Sequence, residues 1–388
     1  MDTTSPAAGT ISKAWSATVD GAVYAQPLVV GSQVIVATEN DTVYSLDAST
    51  GHVQWSAHLG TPVSGGALPC GNISPSGITG TPVVDTSTGT VWAVAFETTS
   101  GGMQHELVGL NLHSGAVTST RQADASGLGA SVMQQRGALA LDGGMVDVPY
   151  GGLFGDCGSY KGAVVGLPDS GSGAGSTFIV PNSGQAGMWS SPGPVVGTDG
   201  SVWVATGNGT SQTTWGDSDA VVRLSSALAQ IDAWAPANWA RLNAADLDLG
   251  STSPALVAGG QVLVVGKDSN AYLLDAAHLG GVGGQETTVS VCGGSGGFGG
   301  IAVMGSSAFV PCRSSLVALG IGAGSLSVTW KVSVSGACSP VLSGGLVWCS
   351  ERDGTLLGLN PATGAISQQM SLGSATINDF PTLAAGSG

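Results

Sequence analysis

A unit of roughly 40–60 residues recurs along the whole chain, and this repeat constrains the fold more than any other feature. The clearest copy is AQPLVVGSQVIVATENDTVYSLDASTGHVQWSAHL (25–59), and another, CSPVLSGGLVWCSERDGTLLGLNPATGAISQQMSL, begins at Cys338. Both copies contain a Ser-Pro or Gln-Pro pair and then four short apolar runs, which are separated by turns with Gly, Asp or Asn. Each copy therefore predicts four antiparallel strands, which is the content of one propeller blade.

Alignment of the chain on the second run of each unit yields seven complete copies. The second runs are VIVAT (34–38), VWAVA (91–95), VDVPY (146–150), VWVAT (202–206), VLVVG (262–266), AFVPC (308–312) and VWCSE (347–351). All-β repeat folds run longer as one unit than length alone would suggest. We therefore predict one all-β propeller domain over residues 1–388, with seven complete blades. A β-solenoid and two β-sandwiches are the alternatives, but four strands per period is typical of a propeller.

The two ends of the chain contain partial copies of the unit. ISKAW (11–15) matches a fourth run and FPTLAAG (380–386) matches a first run, and neither belongs to a complete copy. A propeller often closes its ring by building one blade from both chain ends, because this removes exposed sheet edges. We therefore expect a partial eighth blade that the termini share.

Composition excludes several partners. The formal net charge is −15, with 10 Lys and Arg against 25 Asp and Glu. Such a surface repels the phosphates of nucleic acids and of anionic membranes. The sequence has no apolar run of 18 residues that would insert into a membrane. The polar start after Met1 looks like a mature sequence with an added initiator Met. We expect a monomeric bacterial protein that is secreted or located in the periplasm or cell envelope.

The six cysteines predict three disulfide bonds. Cys338 and Cys349 lie at the same height on the first and second strands of the last blade. Cys292 and Cys312 lie at strand ends on one face, and Cys70 and Cys157 lie in long loops of that face. The predicted pairs are Cys70–Cys157, Cys292–Cys312 and Cys338–Cys349. Closing the longest loop should stabilise the fold most, on the order of 4 kcal/mol. A zinc site is the alternative, but the sequence has no CxxC pair and no Cys/His cluster.

The long connections are expected on one face of the propeller. In a propeller the strand 2–3 and strand 4–1 connections share a face, and here these are the long ones, for example 151–161, 207–219 and 236–251. Long loops that add no core commonly carry binding or catalysis. The alternative is that they only cap the channel. We expect a small molecule, a glycan or a protein to bind on this face, at the channel mouth.

The candidate ligand-binding residues are the basic, amide and aromatic side chains predicted on this face. They are Arg136, Trp189, Asn208, Trp215, Lys267, Arg313 and Arg352. Arg136 precedes a first strand, which lines the channel, and its guanidinium could bind a carboxylate or a phosphate. It could also pair with an Asp of a neighbouring blade, which we favour because buried charges are normally paired. The two Trp side chains could stack on a sugar or quinone ring, or simply pack.

A candidate metal site follows in the same loop. Asp217 and Asp219 could offer hard oxygen ligands to Ca²⁺. Their spacing is that of no known calcium loop, and calcium needs six or more ligands. The alternative is a solvated turn.

Several segments resemble a known family. VYSLDASTGHVQW (43–55) resembles the tryptophan-docking repeat of the pyrroloquinoline quinone (PQQ) type, quinoprotein alcohol dehydrogenase-like propellers. TLLGLNPATG (355–364) and NAYLLDA (270–276) are weaker copies, and 187–210 resembles a segment of bacterial members. The resemblance covers nearly the whole chain and implies the propeller fold. The family includes quinone-dependent dehydrogenases and non-enzymatic relatives such as the outer-membrane assembly lipoprotein.

The resemblance implies less about activity than about fold. The enzymes hold calcium against PQQ with acidic and amide side chains, and many carry two adjacent Cys residues over the cofactor. This chain has no such Cys pair and no matching calcium segment, so no catalytic residue is carried over. The family's docking Trp is structural, and Trp15, Trp55, Trp234 and Trp330 are interpreted in this way. We expect a binding or scaffold protein; a PQQ- and calcium-dependent oxidoreductase is the first alternative, and a hydrolase or lyase the second.

Overall fold

Seven antiparallel sheets follow one another along the chain in the computed structural model, which describes residues 9–181, 184–336, 338–373 and 382–386. Each sheet is a meander of four antiparallel strands in chain order, and a short fifth strand joins the edge or end of two of the sheets. The first strands of neighbouring sheets lie side by side. The predicted all-β propeller with seven complete blades is therefore confirmed.

The blades have the following strands. Blades 1 to 3 contain β1 (Leu28–Val30), β2 (Gln33–Ala37), β3 (Thr42–Asp47) and β4 (Val53–His58); β5 (Val83–Asp85), β6 (Thr90–Thr99), β7 (Gly102–Asn111) and β8 (Val117–Gln122); and the short β9 (Met133–Gln134), then β10 (Ala140–Asp142), β11 (Met145–Gly152), β12 (Ala163–Pro168) and β13 (Ser176–Ile179). Blades 4 and 5 contain β14 (Val195–Val196), β15 (Val202–Ala205), β16 (Val221–Leu224) and β17 (Gln230–Ala235); and β18 (Ala255–Val257), β19 (Gln261–Val265), β20 (Asn270–Asp275), the short β21 (Gly281–Val282), which pairs with β17, and β22 (Thr287–Ser290). Blades 6 and 7 contain β23 (Ala302–Met304), β24 (Ser307–Cys312), β25 (Ser315–Gly322) and β26 (Ser325–Ser333); and β27 (Val341–Ser343), β28 (Leu346–Ser350), β29 (Thr355–Leu359) and β30 (Ile366–Ser371). Among the described residues, the connections also contain one helix, α1 (Trp239–Ala245), and two 3-10 turns, Gly65–Ala67 and Ala130–Val132.

The burial of the strands follows their position in the blade. The second strand β19 is buried at all five residues, since neighbouring blades cover both of its faces. A continuous apolar run such as its QVLVV is typical of such a strand. The fourth strand β8 instead alternates exposed and half-buried residues, because it forms the outer edge of its blade.

Tryptophans at the outer strands join successive blades. The Trp55 indole of blade 1 donates a hydrogen bond to the Leu112 carbonyl of blade 2 (2.9 Å) and packs on Gly115, where a Cβ would lie 2.4 Å from the ring. The Trp330 indole likewise donates to the Pro361 carbonyl of blade 7 (2.9 Å), and the Trp15 indole donates to the Ala48 carbonyl of blade 1 (2.9 Å). No strand is assigned at residues 11–15 or 382–386, and Phe380 and Pro381 lie outside the described residues. The partial eighth blade therefore stays a prediction.

A collar of hydrogen bonds joins the starts of the first strands. It explains the Ser-Pro and Gln-Pro pairs of the repeat, because the residue before Pro binds the neighbouring blade. Examples are Gln26 N to Thr81 Oγ1 (2.8 Å), Ala138 N to Ser191 O (2.9 Å), Ser253 Oγ to Ser190 Oγ (2.9 Å) and Gly300 N to Ser339 Oγ (3.0 Å). The first strands enclose a channel of about 1030 Å³, which Ala384 and Ala385 also line.

All three predicted disulfides are confirmed. They join Cys70 to Cys157, Cys292 to Cys312 and Cys338 to Cys349. Cys70–Cys157 ties the connection before blade 2 to the strand 2–3 loop of blade 3, so two long loops form one unit. Within the described ranges, no helix is long and apolar enough to cross a membrane.

Candidate functional site

A cavity of about 630 Å³ opens where the strand 2–3 and strand 4–1 connections converge. Three of its lining residues are followed within two positions by residues that line the channel: Arg136 by Ala138, Ser191 by Pro192, and Ser251 by Ser253. The cavity therefore lies at the mouth of the channel, on the face where the sequence predicts the long loops.

Three cations occupy one arc of this mouth. Lys267, Arg313 and Arg352 all line the cavity, and each is the residue directly after the aligned five-residue second run of its unit, VLVVG, AFVPC or VWCSE. The shared register places them on consecutive blades, 5 to 7. Arg313 and Arg352 are exposed. Lys267 forms ion pairs with Asp248 and with Asp246, the latter at 3.4 Å.

Burial and ion pairing act in opposite directions on Lys267. Burial favours the neutral amine, but the charge and the hydrogen bond of Asp248 outweigh this effect and raise the pKa of Lys267. Lys267 is therefore a cation whose charge Asp246 and Asp248 largely balance.

The fourth cation, Arg136, lies on the other side of the mouth. It is half-buried before β10, and its Nη1 atom is buried with no hydrogen-bond partner. The ion pair with an Asp of a neighbouring blade, which we favoured from the sequence, is not formed among the described residues. The charge that acts on Arg136 is instead that of Glu39 in blade 1, which opposes the pKa-lowering effect of burial on the guanidinium.

The aromatic side of the cavity is built around Trp189. Its indole donates to the Gly152 carbonyl (3.0 Å) and is enclosed by glycines: a Cβ on Gly151, Gly187 or Gly207 would lie 2.3–2.6 Å from the ring. Only glycine at these three positions admits the ring, so Trp189 is held rigidly while it lines the cavity.

Phe154 forms an aromatic wall that our sequence analysis missed. Its side chain is 71% exposed and lines the cavity from the strand 2–3 loop of blade 3. The loop is restrained by the disulfide at Cys157 and by a hydrogen bond of 2.5 Å from the Tyr160 hydroxyl to Asp156. A lone aromatic residue within the glycine-rich GGLFGD segment was the signal that could have identified it.

The structure brings five of the seven predicted ligand-binding residues to this cavity and leaves two outside its lining. The five are Arg136, Trp189, Lys267, Arg313 and Arg352. Asn208 is buried, and its backbone N–H donates to Asp248 (2.7 Å). Trp215 packs on the core of blade 4 and donates to the Ser218 carbonyl (2.9 Å). Asn243 of α1 accepts from Gly209 N–H (2.7 Å) and donates to the Ser218 hydroxyl (2.9 Å), so this loop is tied to α1.

The two predicted metal ligands also lie outside the cavity lining. Asp217 accepts a hydrogen bond from Gln230 (2.9 Å), and Asp219 accepts one from Leu249 N–H (3.0 Å). Burial raises the pKa of Asp219 to about 8, which disfavours a free carboxylate. A calcium site at Asp217 and Asp219 stays a prediction.

The acidic side chains of the cavity do not fit a quinoprotein calcium ion. Asp248 binds Lys267 and Asn208 N–H, Asp246 binds Lys267, and Asp156 accepts from Tyr160. In the described part of the chain, no three His, Cys, Asp or Glu side chains are grouped to hold a metal. Calcium needs six or more oxygen ligands, and these carboxylates are already engaged.

Comparison with solved structures identifies relatives of the same fold. A quinohemoprotein alcohol dehydrogenase from Pseudomonas putida is 13% identical with a TM-score of 0.69, over 95% of this chain and 68% of the other. BamB from Moraxella catarrhalis is 15% identical with a TM-score of 0.62, over 94% and 93%. A europium-containing methanol dehydrogenase is 15% identical with a TM-score of 0.64, over 92% and 80%. At these identities the likeness concerns the fold alone.

The sequence itself matches a family. No match is found among curated proteins. The family model described as "Outer membrane protein assembly factor BamB" matches residues 7–210, which is more than half of the chain. The docking tryptophans, the seven blades and this match agree, and the chain belongs to the PQQ-like propeller repeat family that this model represents.

Proposed function

We propose that this protein is an exported binding module that holds an anionic ligand in the cavity at the channel mouth. One observation carries the proposal: four of the ten Lys and Arg residues line this one cavity, in a chain with a net charge of −15. Three of the four recur in the same register of consecutive blades. Three acidic residues, Asp156, Asp246 and Asp248, line it as well, so the formal net charge of the lining is +1, four cations less three anions, on a chain of −15. A positive site on an acidic surface concentrates and orients anions.

The shape and lining of the cavity indicate the class of ligand. A volume of about 630 Å³ suits a small molecule. The guanidinium groups of Arg313 and Arg352 can form paired hydrogen bonds with a carboxylate, phosphate or sulfonate. Phe154, in blade 3, and Trp189, in the connection before blade 4, offer apolar surface to the body of the same ligand. We therefore expect an anion with an apolar or aromatic body.

The alternative of a PQQ-dependent dehydrogenase is supported less well. The solved relatives include alcohol dehydrogenases as well as BamB, so the fold is compatible with either role. A PQQ- and calcium-dependent dehydrogenase needs a bound calcium ion, and the acidic side chains of this cavity do not fit one. A binding or scaffold role needs only the cavity and its cations.

Fluorescent probes test the proposal directly. Anilinonaphthalene sulfonate is an aromatic anion that becomes fluorescent when it leaves water, and phenylnaphthylamine has the same rings without the charge. We expect saturable binding of the anion and binding of the neutral probe that is at least about tenfold weaker, as for the loss of one charged hydrogen bond. Arg313→Ala and Arg352→Ala should each weaken anion binding by about tenfold.

Arg241 provides the matched control, because it is an exposed arginine of α1 outside the cavity. Arg241→Ala should leave the affinity unchanged. Equal binding of the neutral probe, or an equal effect of Arg241→Ala, would refute the proposal.

PQQ is then added as a competitor, with and without calcium. Displacement of the probe that does not depend on calcium supports anion binding. Displacement that requires calcium, together with dye reduction in the presence of an alcohol, would assign the protein to the dehydrogenase alternative.

A further inference from the structure

A buried carboxyl group, that of Glu39, is joined through Thr79 to the segment that carries Arg136: the Thr79 hydroxyl donates to Glu39 (3.0 Å) and accepts from the Gln134 amide (3.1 Å). Glu39 follows β2 in blade 1 and is only 1% exposed. Its Oε2 atom accepts hydrogen bonds from Gly77 N–H (2.8 Å) and from the Thr79 hydroxyl (3.0 Å), both in the connection before blade 2. Its Oε1 atom is buried and has no hydrogen-bond partner. Glu39 is therefore positioned firmly, but only one of its two oxygens is satisfied.

Arg136 shows the complementary feature. Its Nη1 is also buried without a partner, and the charges of Arg136 and Glu39 act on each other although they form no ion pair within 4.0 Å. Two opposite charges in direct contact would satisfy each other and leave neither available. Here each keeps one unsatisfied polar atom. A bound anion can therefore replace Glu39 as the negative charge that acts on Arg136, and no ion pair between Arg136 and Glu39 has to break.

The other titratable groups near Glu39 are mostly acidic. Asp41, in the same turn, is fully buried and neither of its carboxylate oxygens has a hydrogen-bond partner; it interacts with both Glu39 and Glu97 of β6. Tyr24 faces Arg136 from the segment before β1, and Asp20 binds Thr38 and Thr42 on either side of the Glu39 turn (2.8 and 2.6 Å). The His58 imidazole of β4 contacts Thr42 of this turn (3.1 Å), and Arg136 is the one cation whose charge is found to act on Glu39 among the described residues.

Burial raises the pKa of Glu39 to about 7, while its hydrogen bonds and Arg136 act to lower it. Near neutral pH the carboxyl group is therefore divided between its charged and neutral forms. An anion bound at Arg136 offsets the positive charge that lowers the pKa of Glu39. The bound anion therefore raises this pKa.

We propose that an anion that binds at Arg136 is taken up together with a proton, which Glu39 accepts from solvent. This inference rests on the proposed function of the cavity and adds its regulation. The carboxylate Oε1 gains the proton and becomes a hydroxyl, so the net charge buried beside Arg136 changes little when the ligand arrives. Linkage requires the converse as well, and protonation of Glu39 tightens anion binding.

The direction of the pH dependence follows. The anion raises the pKa of Glu39 above its value of about 7 in the free protein. Binding is therefore tightest below neutral pH and weakens as the pH rises from the free-state pKa to the bound-state pKa. Each pKa unit between the two states corresponds to about tenfold in affinity.

The test measures the affinity for anilinonaphthalene sulfonate between about pH 5.5 and about pH 8.5, since the sulfonate stays ionised and only the protein titrates. We expect the wild-type affinity to fall by about three- to tenfold across this range. Glu39→Gln keeps an acceptor for Gly77 and Thr79 but cannot titrate. Its affinity should be independent of pH and close to the wild-type value at low pH.

Two matched variants identify the titrating group. Asp147→Asn removes another buried carboxyl group, which has a pKa raised to about 7 and lies outside the cavity lining, and it should retain the pH dependence. Asp41→Asn tests the neighbour of Glu39, which burial shifts to a pKa of about 8. If Asp41→Asn abolishes the pH dependence and Glu39→Gln does not, the assignment to Glu39 is wrong.

A second measurement needs no variant. Calorimetric titration of the probe in bis-Tris and in Tris, cationic buffers that do not compete for an anion site, measures proton exchange from the difference in heat. We expect net proton uptake near neutral pH. Tight, anion-selective binding with no proton uptake overturns this inference alone, whereas failure of the probe to bind overturns the proposed function too.

Discussion

Replacing Gly115 by Ala is expected to loosen the contact between blades 1 and 2. Gly115 lies in the turn between β7 and β8 with φ +69°, and a Cβ there would lie 2.4 Å from the Trp55 ring. Gly89 has almost the same φ, +67°, but a Cβ there would meet nothing within 4 Å. The pair therefore separates the cost of the backbone conformation from the cost of displacing the docked indole.

The magnitudes follow from this geometry. A side chain in the left-handed region costs about 1–2 kcal/mol, and both Gly115→Ala and Gly89→Ala carry that cost. Gly115→Ala must also shift Trp55, and forced overpacking adds about 1–3 kcal/mol. The hydrogen bond from Trp55 to the Leu112 carbonyl (2.9 Å) contributes about 1 kcal/mol more if it breaks. We expect Gly115→Ala to destabilise by about 2 kcal/mol more than Gly89→Ala.

Urea unfolding followed by circular dichroism measures the difference. In a Trp55→Ala background, Gly115→Ala should cost no more than Gly89→Ala, because the indole that it displaces is gone. Two results would show that the turn glycine does not serve to admit the indole. One is an equal unfolding midpoint for the two single variants, and the other is a loss of unfolding free energy on Gly115→Ala that is as large in the Trp55→Ala background as in the wild type.

Two further predictions concern the disulfides and pH. Because loop entropy rises with loop length, replacing Cys70 and Cys157 by Ser (separation 87) should lower the unfolding free energy by about 2 kcal/mol more than replacing Cys338 and Cys349 (separation 11); equal urea midpoints would contradict this. Burial raises the pKa of Asp219 to about 8, so its contribution to stability is present in acid and is lost as the pH rises from about 4 to about 8. Asp219→Asn should flatten the fall in melting temperature over this range, and an unchanged slope would refute the reasoning.

The candidate site was only partly predictable from sequence. Lys267, Arg313 and Arg352 were identifiable because each follows the second strand of its unit, and the repeat carries that position to the channel mouth. Asn208 and Trp215 were predicted from their loop alone, but neither lines the cavity, and hydrogen bonds with Asn243 tie their loop to α1. No sequence pattern relates α1 to this loop.

The chain's local pattern by itself determined the seven blades, the tryptophan docking and the cysteine pairing. Each blade folds from one continuous segment. Its alternating side chains and turn glycines make contacts within a few residues, and its docking tryptophan and the residue before Pro contact the neighbouring copy of the repeat. Only the tertiary structure decided that Phe154 lines the cavity and that Glu39 of blade 1 lies near Arg136 before blade 3. These contacts depend on the way in which long connections from different blades converge around the propeller axis. The connections do not repeat, so the periodicity of the sequence carries no information about their convergence.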